Sequence, residues 1–435
     1  MRLPDLFRKD ARELLVSRAF GLQLVLTGPL VGQAFATAVS AYAEASGTGG
    51  AAALAEALHP LDGILVPTLG AYDLTATLVF PFVAVRLVSA EKESGALKLL
   101  LQGPAGLPTQ LAAKAAALLF VWLLALAPGL LALALWLAYG GHLHAPETAC
   151  LLLGHLLRAG IGAGVAVAAA AAMDGGSSAA IVTLAFTVGT WALDFVAAGR
   201  SGLVRAAADL TPGALLHVFE RGELRLSAVL SAIVIATAGF ALAGVLLAPV
   251  ALRLRALRAS AVIAAAALLL LASSAVAPSW DLSEDRRSSF PRAEERALAA
   301  VRGLSVRIHL AAEDPRLADF ERGPLLKLRR AVPSLRVVYA ASSRTGLFES
   351  DPSYGEIRYE LGGKVAVTRS TTEGVTLEEV FRLAGLPRPP AEPSGGAAGH
   401  PLAASPRWAA PTFTIAWPLG AAAFWLRSRR PWRPT

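Results

Sequence analysis

The chain has 435 residues, of which 55% are hydrophobic and 17% charged, and its mean hydropathy is +0.54. Those values exclude an ordinary soluble domain and point to a membrane protein. The single cysteine, Cys150, rules out an intramolecular disulfide and a cysteine-only metal cage, and the seven histidines show no metal-ligand spacing. The net charge of +8 is not a nucleic-acid footprint: residues 281–408 hold 19 Lys/Arg against 17 Asp/Glu, and most of the other bases flank apolar runs. No nucleic-acid partner is expected.

The chain opens on an amphipathic segment, with Leu6, Phe7, Leu14 and Leu15 set against Arg8, Lys9 and Arg12. That pattern predicts a helix lying along the membrane surface before the first span. A cleaved signal peptide is the competing reading, because Ala-x-Ala positions occur between Ala34 and Ala43. The long leading segment with Asp5, Asp10 and Glu13, and the full-length apolar run behind it, argue against cleavage.

A spanning helix needs about 20 apolar residues. Such runs fall near 20–42, 62–88, 110–139, 148–172, 178–198, 226–252, 259–277 and 409–426, which predicts eight spans. Pro128-Gly129 offers a kink in the third. The positive-inside rule sets their direction. Bases collect in the N-terminal segment, in the loop after the second span (Arg86, Lys92, Lys98, Lys114), after the sixth (Arg253, Arg255, Arg258) and in the tail (Arg427, Arg429, Arg430, Arg433). All four groups fall on one side when the spans alternate, so both termini are expected in the cytoplasm. The loop 199–225, with Arg200, Arg205, Arg221 and Arg225, dissents.

Between the second and third spans the chain reads Glu91-Lys92-Glu93-Ser94-Gly95, then a leucine cluster, then Gly103-Pro104. This predicts a surface helix. Leu97, Leu100 and Leu101 would form its buried stripe, with Glu91, Lys92, Glu93 and Lys98 toward water and a partner. Glu91, Glu93, Gly95, Leu97, Leu99, Leu100, Leu101 and Pro104 resemble the motif after the second span of ABC-2 type exporter permeases. Ala96 stands where that family has Thr, and Ala113 precedes Lys114 where it has Gly. Leu210-Thr211-Pro212 through His217-Val218-Phe219-Glu220-Arg221-Gly222 is similar to the family's stretch before its sixth span. The resemblance implies that residues 1–252 form a six-span permease domain of a bacterial cytoplasmic (inner) membrane exporter. It also implies that Glu91, Glu93, Gly95, Leu100, Leu101 and Pro104 couple it to an ATPase.

The implied partners are an ABC ATPase, as a dimer carrying ATP and magnesium, and a second permease half, either a copy or a related chain, all in membrane lipid. The chain itself should bind no cofactor and catalyse nothing. A phosphate-binding P-loop needs Gly-x(4)-Gly-Lys-Ser/Thr, and Gly362-Gly363-Lys364-Val365 lacks both its first Gly and its hydroxyl. It reads instead as a hairpin turn between Ile357–Leu361 and Val365–Thr368.

Residues 253–278 hold the seventh span, after which the composition turns charged and mixed. Helical and strand patterns alternate over 279–386: Pro291–Val301, Leu304–Ala311, Pro315–Val332, Leu335–Ala341, the hairpin, and Leu377–Leu383. Alternation of this kind predicts a small extracytoplasmic α/β domain. Its opening, Trp280-Asp281-Leu282-Ser283-Glu284 through Phe290, resembles the start of the auxiliary subunit of gliding-motility-type ABC export systems, here in shortened form. Residues 387–408 are a Pro/Gly/Ala linker, and 409–435 hold the eighth span and a basic tail.

Within the spans, ionisable groups are costly and tend to face the protein interior. His155 and Arg158 in the fourth and Asp194 in the fifth are the candidate intramembrane polar residues, and Asp194 is expected to reach one of the two bases. Asp62 and Asp73 in the second span are similar candidates. The overall expectation is an α-helical polytopic membrane protein that exports an unidentified substrate. The alternatives are a non-transporting scaffold whose outer domain recruits a cell-envelope partner, and an ion-driven secondary transporter, for which the two halves show no broken-helix repeat.

Overall fold

The computed structural model describes residues 3–47, 59–197, 200, 202–311, 313–340, 352–390 and 399–429. Among them eight helices are long and apolar enough to cross a membrane: Arg18–Gly47, Leu61–Glu93, Leu107–Ala138, Ala145–Ala172, Gly176–Ala197, Leu226–Leu247, Leu252–Ser274 and Ala409–Ser428. The chain is a helical multi-pass membrane protein with a small sheet region. Two boundaries differ from the apolar runs in an informative way. The second helix continues to Glu93, and the seventh starts at Leu252. Arg253, Arg255 and Arg258 therefore sit on the first turns of that helix and not on a link. Arg2, Arg430, Arg433, Ala341 and residues 391–398 of the 387–408 linker lie outside the described residues.

Two compact units emerge. The first holds residues 1–190, 215–280 and 398–435. It opens on the leading helix Leu3–Val16, which buries Leu6, Asp10, Ala11 and Leu14 along one face. Phe7 meets Phe120 of the third span edge-on at 5.8 Å. Ser17 ends the leading helix and caps the first span, its hydroxyl accepting from Phe20 N at 3.1 Å. The third span breaks between Ala125 and Ala127, with Pro128 at the start of its second half, as the Pro-Gly pair predicts.

The eighth span docks on the first through aromatic rings seated over glycines. A side chain at Gly21, Gly28 or Gly32 would collide with Trp425, Trp417 or Phe413 respectively. The indole N–H groups donate to backbone carbonyls, Trp417 to Leu24 at 2.8 Å and Trp425 to Ser17 at 2.9 Å. Small residues let the backbones approach, and each indole satisfies its donor without water. The two spans are thus antiparallel, and the start of the first lies beside the end of the eighth. Arg18, Arg86 and Arg429 share this end of the bundle, called the basic end below.

The second unit holds residues 191–214 and 281–397. Its sheet consists of β1 (Ser305–Ile308), β2 (Arg336–Tyr339), β3 (Ile357–Leu361) and β4 (Lys364–Thr368), in the order β2-β1-β3-β4. β1 pairs parallel with β2, Ser305 facing Arg336, and antiparallel with β3, Ile308 facing Ile357. Gly362 and Gly363 turn β3 into β4 with φ of +57° and +80°, the left-handed values such a hairpin demands. Phe290, Leu298, Ile308, Phe320, Leu328 and Phe381 belong to its core.

One long helix was expected over Pro315–Val332. Two form instead, Pro315–Arg322 and Pro324–Ala331, because Pro324 cannot donate into the preceding turn and Gly323 adopts a non-helical conformation. The opening motif folds around Asp281, which accepts from Ser283 N at 3.0 Å and from the hydroxyls of Ser283 and Ser289. Segment 203–208 joins this unit through Arg205, 3.6 Å from Glu321.

Candidate functional site

The stretch after the second span is not one surface helix. Glu91, Lys92 and Glu93 form the last turn of the second span, Gly95 breaks the helix at φ +72°, and a short helix follows at Ala96–Gln102. Gln110, in the third span, holds the far end of that helix, its amide donating to Leu100 O at 2.8 Å and Ala105 O at 2.9 Å. No side chain of the short helix is fully buried, and Leu99 is 72% exposed. The expected Leu97, Leu100 and Leu101 stripe is only half covered within the chain. Gly95, Lys98 and Pro104 lie open to the surroundings.

Glu91 does not face water, as the surface-helix reading expected. It is 2% exposed and sits in a buried charge cluster with Lys9, Asp10 and Lys114. Lys114 Nζ lies 2.9 Å from Glu91 and 3.6 Å from Asp10, and it donates to Leu87 O at 3.2 Å. Lys9 pairs with Glu91 and lies 3.3 Å from Asp10. Within these ion pairs two acids face two bases, and Glu13 lies close by as a third acid. The cluster ties the leading helix, the end of the second span and the start of the third into one joint. The physical reason for the miss is geometric. Glu91 is three residues from Val88 and four from Leu87, both buried, so it continues the inward face of the span.

Burial pushes the Asp10 carboxyl above its ordinary value, with Lys114 and Lys9 pulling it back down. Glu13 is raised by burial too. Burial acts to lower Lys9, but the hydrogen bond and charge of Glu91 and the nearby Asp10 outweigh it and raise that pKa. Asp10, Glu13 and Glu91 converge closely enough to hold a cation, and the ammonium groups of Lys9 and Lys114 already supply positive charge there.

Lys92 and Glu93 serve the next two spans. The Lys92 ammonium donates to the carbonyls of Ala170, Ala171 and Met173 at 3.2, 3.1 and 2.5 Å, which caps the C-terminus of the fourth span. The Glu93 carboxylate accepts from Gly176 N at 3.2 Å, at the N-terminus of the fifth. Each charge has the sign that the local helix dipole favours.

A second polar group lies deeper in the bundle. Arg158 is 2.6 Å from Asp73 and donates to Thr77 at 3.2 Å. Arg158 is engaged by Asp73 within the first unit, and Asp194 accepts from the Thr211 hydroxyl at 2.6 Å within the second. His155 is buried, with its ring edge against Tyr72 at a centroid distance of 6.2 Å.

Sequence reasoning picked Glu91, Glu93 and Arg158 but missed Asp10, Lys92 as a cap and the Asp73 pairing. Asp10 carried a readable signal: it sits midway between Leu6 and Leu14 at spacings of four, on the face the helix buries. Compared with family models, with curated proteins and with solved structures, the chain matches none of them.

Proposed function

We propose that the chain is the membrane subunit of an ATP-driven exporter of the ABC-2 type, working with a separate ATPase that engages the short helix Ala96–Gln102 from the cytoplasm. The observation that carries this reading is the connectivity of the joint. A short, exposed helix hangs from Gly95 on one side and Gln110 on the other. The residues just before it lock to the leading helix and third span through Glu91, and to the fourth and fifth spans through Lys92 and Glu93. A push on that helix would reach five elements at once, which is what coupling nucleotide-driven closure to membrane helices requires. His155, Arg158 and Asp73 are proposed to line or brace the substrate path.

The test is affinity purification of the full-length tagged chain from its host membrane in mild detergent, with mass spectrometry of what accompanies it. Lys98→Glu/Leu99→Asp changes two exposed side chains of the short helix and leaves the buried cluster intact. Co-purification of an ATP-binding cassette ATPase with the parent chain, lost in the variant, supports the proposal. Envelope proteins without any ATPase, even after cross-linking, would favour the scaffold reading instead.

A further inference from the structure

At the basic end of the first unit an open cavity of about 820 Å³ is lined by Lys9, Arg12, Arg18, Arg86 and Arg429, with Glu13 as its one acid. Lys9 is engaged by Glu91 and Asp10. Among the described residues Arg12, Arg18 and Arg86 have no carboxylate partner, and Arg429 lies over the Trp425 ring at 4.4 Å. Four guanidinium groups from the leading helix and the first, second and eighth spans thus converge on one space, with Glu13 the single carboxylate among its lining residues. Guanidinium groups bind phosphate oxygens in pairs, and a structure that gathers four of them invites an anion.

Two apolar ladders identify the anion. From Arg18 the first span presents Leu22, Leu26 and Leu30 at spacings of four, 55%, 43% and 48% exposed. From Arg86 the second span presents Phe82, Leu78 and Leu74 at the same spacing, running the opposite way along its own chain. The two spans are antiparallel: Arg18 and Arg86 share the cavity, while Tyr42 meets Gly63 at the other end. Both ladders therefore descend from the cavity in the same direction. Twelve residues of helix cover about 18 Å, close to one leaflet of a hydrocarbon core roughly 30 Å thick. A free phosphate or nucleotide would use the arginines and ignore the ladders. A phospholipid uses both.

We propose that this cavity binds the headgroup of an anionic phospholipid, its phosphate held by Arg12, Arg18, Arg86 and Arg429 and its acyl chains lying along the Leu22–Leu30 and Phe82–Leu74 ladders. The inference is independent of the transport reading. Through Arg12 the lipid would also pin the leading helix to the spans.

The full-length protein in neutral detergent is mixed with equal amounts of phosphatidylglycerol and phosphatidylcholine, and the retained lipids are counted by native mass spectrometry. The parent chain should retain phosphatidylglycerol in roughly tenfold excess, and Arg18→Gln/Arg86→Gln should bring the ratio near one. Arg253→Gln/Arg258→Gln, at bases outside the cavity, should leave the preference intact. Melting in phosphatidylcholine micelles checks that each variant is folded. If the Arg18/Arg86 variant melts early, Arg12→Gln/Arg429→Gln takes its place and must lower the ratio in the same direction. Equal retention of the two lipids by the parent chain, or an undiminished preference in a folded cavity variant, overturns the proposal. Displacement of phosphatidylglycerol by millimolar inorganic phosphate also overturns it, by showing a free-anion site in place of a lipid site.

Discussion

Lys114 Nζ lies 2.9 Å from Glu91 Oε1, and the two side chains are 4% and 3% exposed. A buried pair of this kind gives little net stability compared with apolar residues of the same shape, but removing one member strands the other charge. Glu91→Gln should therefore cost about 3–5 kcal/mol, because Lys114 and Lys9 both lose their shared acid. Adding Lys114→Met should recover part of that loss, with a coupling of roughly 1–3 kcal/mol. Denaturant unfolding in mixed micelles of the two single variants and the double variant measures it, and simple additivity would show that the contact carries no energy.

The same cluster makes docking of the leading helix sensitive to pH. Asp10, raised by burial above 3.8, binds its proton more readily folded than unfolded. Its contribution to stability is fully present below 3.8 and is lost as pH rises through the raised value. Glu13 has the same sign. Lys9, raised above 10.5, contributes constantly over this range and fails only in strong base. Lowering pH from about 7 toward about 4 should thus slow hydrogen exchange in residues 3–16, after correction for intrinsic rates, and Asp10→Asn should flatten the trend.

Lys92 holds three carbonyls at the end of the fourth span. Lys92→Met should free them and loosen the turn at 173–175, costing on the order of 1–2 kcal/mol, while Lys92→Arg should retain most of the effect. Hydrogen exchange confined to the turn and the adjoining helix ends reads this out. A uniform change over the whole bundle would show that Lys92 acts otherwise.

Arg158 is held by Asp73 at 2.6 Å between the second and fourth spans. Asp73→Asn removes the ion-pair partner of a guanidinium at membrane depth, leaving it the Thr77 hydroxyl and the more distant Glu220 charge, and should destabilise by about 3 kcal/mol or more. Asp73→Arg/Arg158→Asp should restore a large part of it. Failure of the exchanged pair to recover stability would mean that the surrounding groups, and not the pair, fix the polarity of this site.

The spans were legible in the sequence because run length and hydropathy are properties of single segments, and β1 to β4 were legible because alternation and the Gly-Gly turn are local too. Partner choice was not. Arg158 could be placed in a span, but its pairing with Asp73 depends on how the second and fourth spans rotate against one another, which no single segment encodes. Glu91 failed for a related reason. Its charged neighbours suggested a solvated helix, whereas its spacing from Leu87 and Val88 placed it on the inward face. The basic cavity was hidden because its arginines come from four separate segments, and each alone reads as an orientation signal.

Packing of the fourth span against the sixth gives a sharp test of close approach. A Cβ at Gly239 would lie 2.5 Å from the Gly164 carbonyl carbon, and one at Gly164 would lie 2.5 Å from Ala236 O. These are backbone atoms, which cannot swing aside as a side chain can. Gly162, two residues from Gly164 on the same helix, has open space around it. Gly164→Ala should therefore force the spans apart and cost about 1–3 kcal/mol. Gly162→Ala should be neutral or stabilising by up to about 1 kcal/mol, since alanine is the better helix former. The melting temperature should fall for Gly164→Ala and hold or rise for Gly162→Ala, and an equal shift in both would mean that the two backbones are not in contact at Gly164.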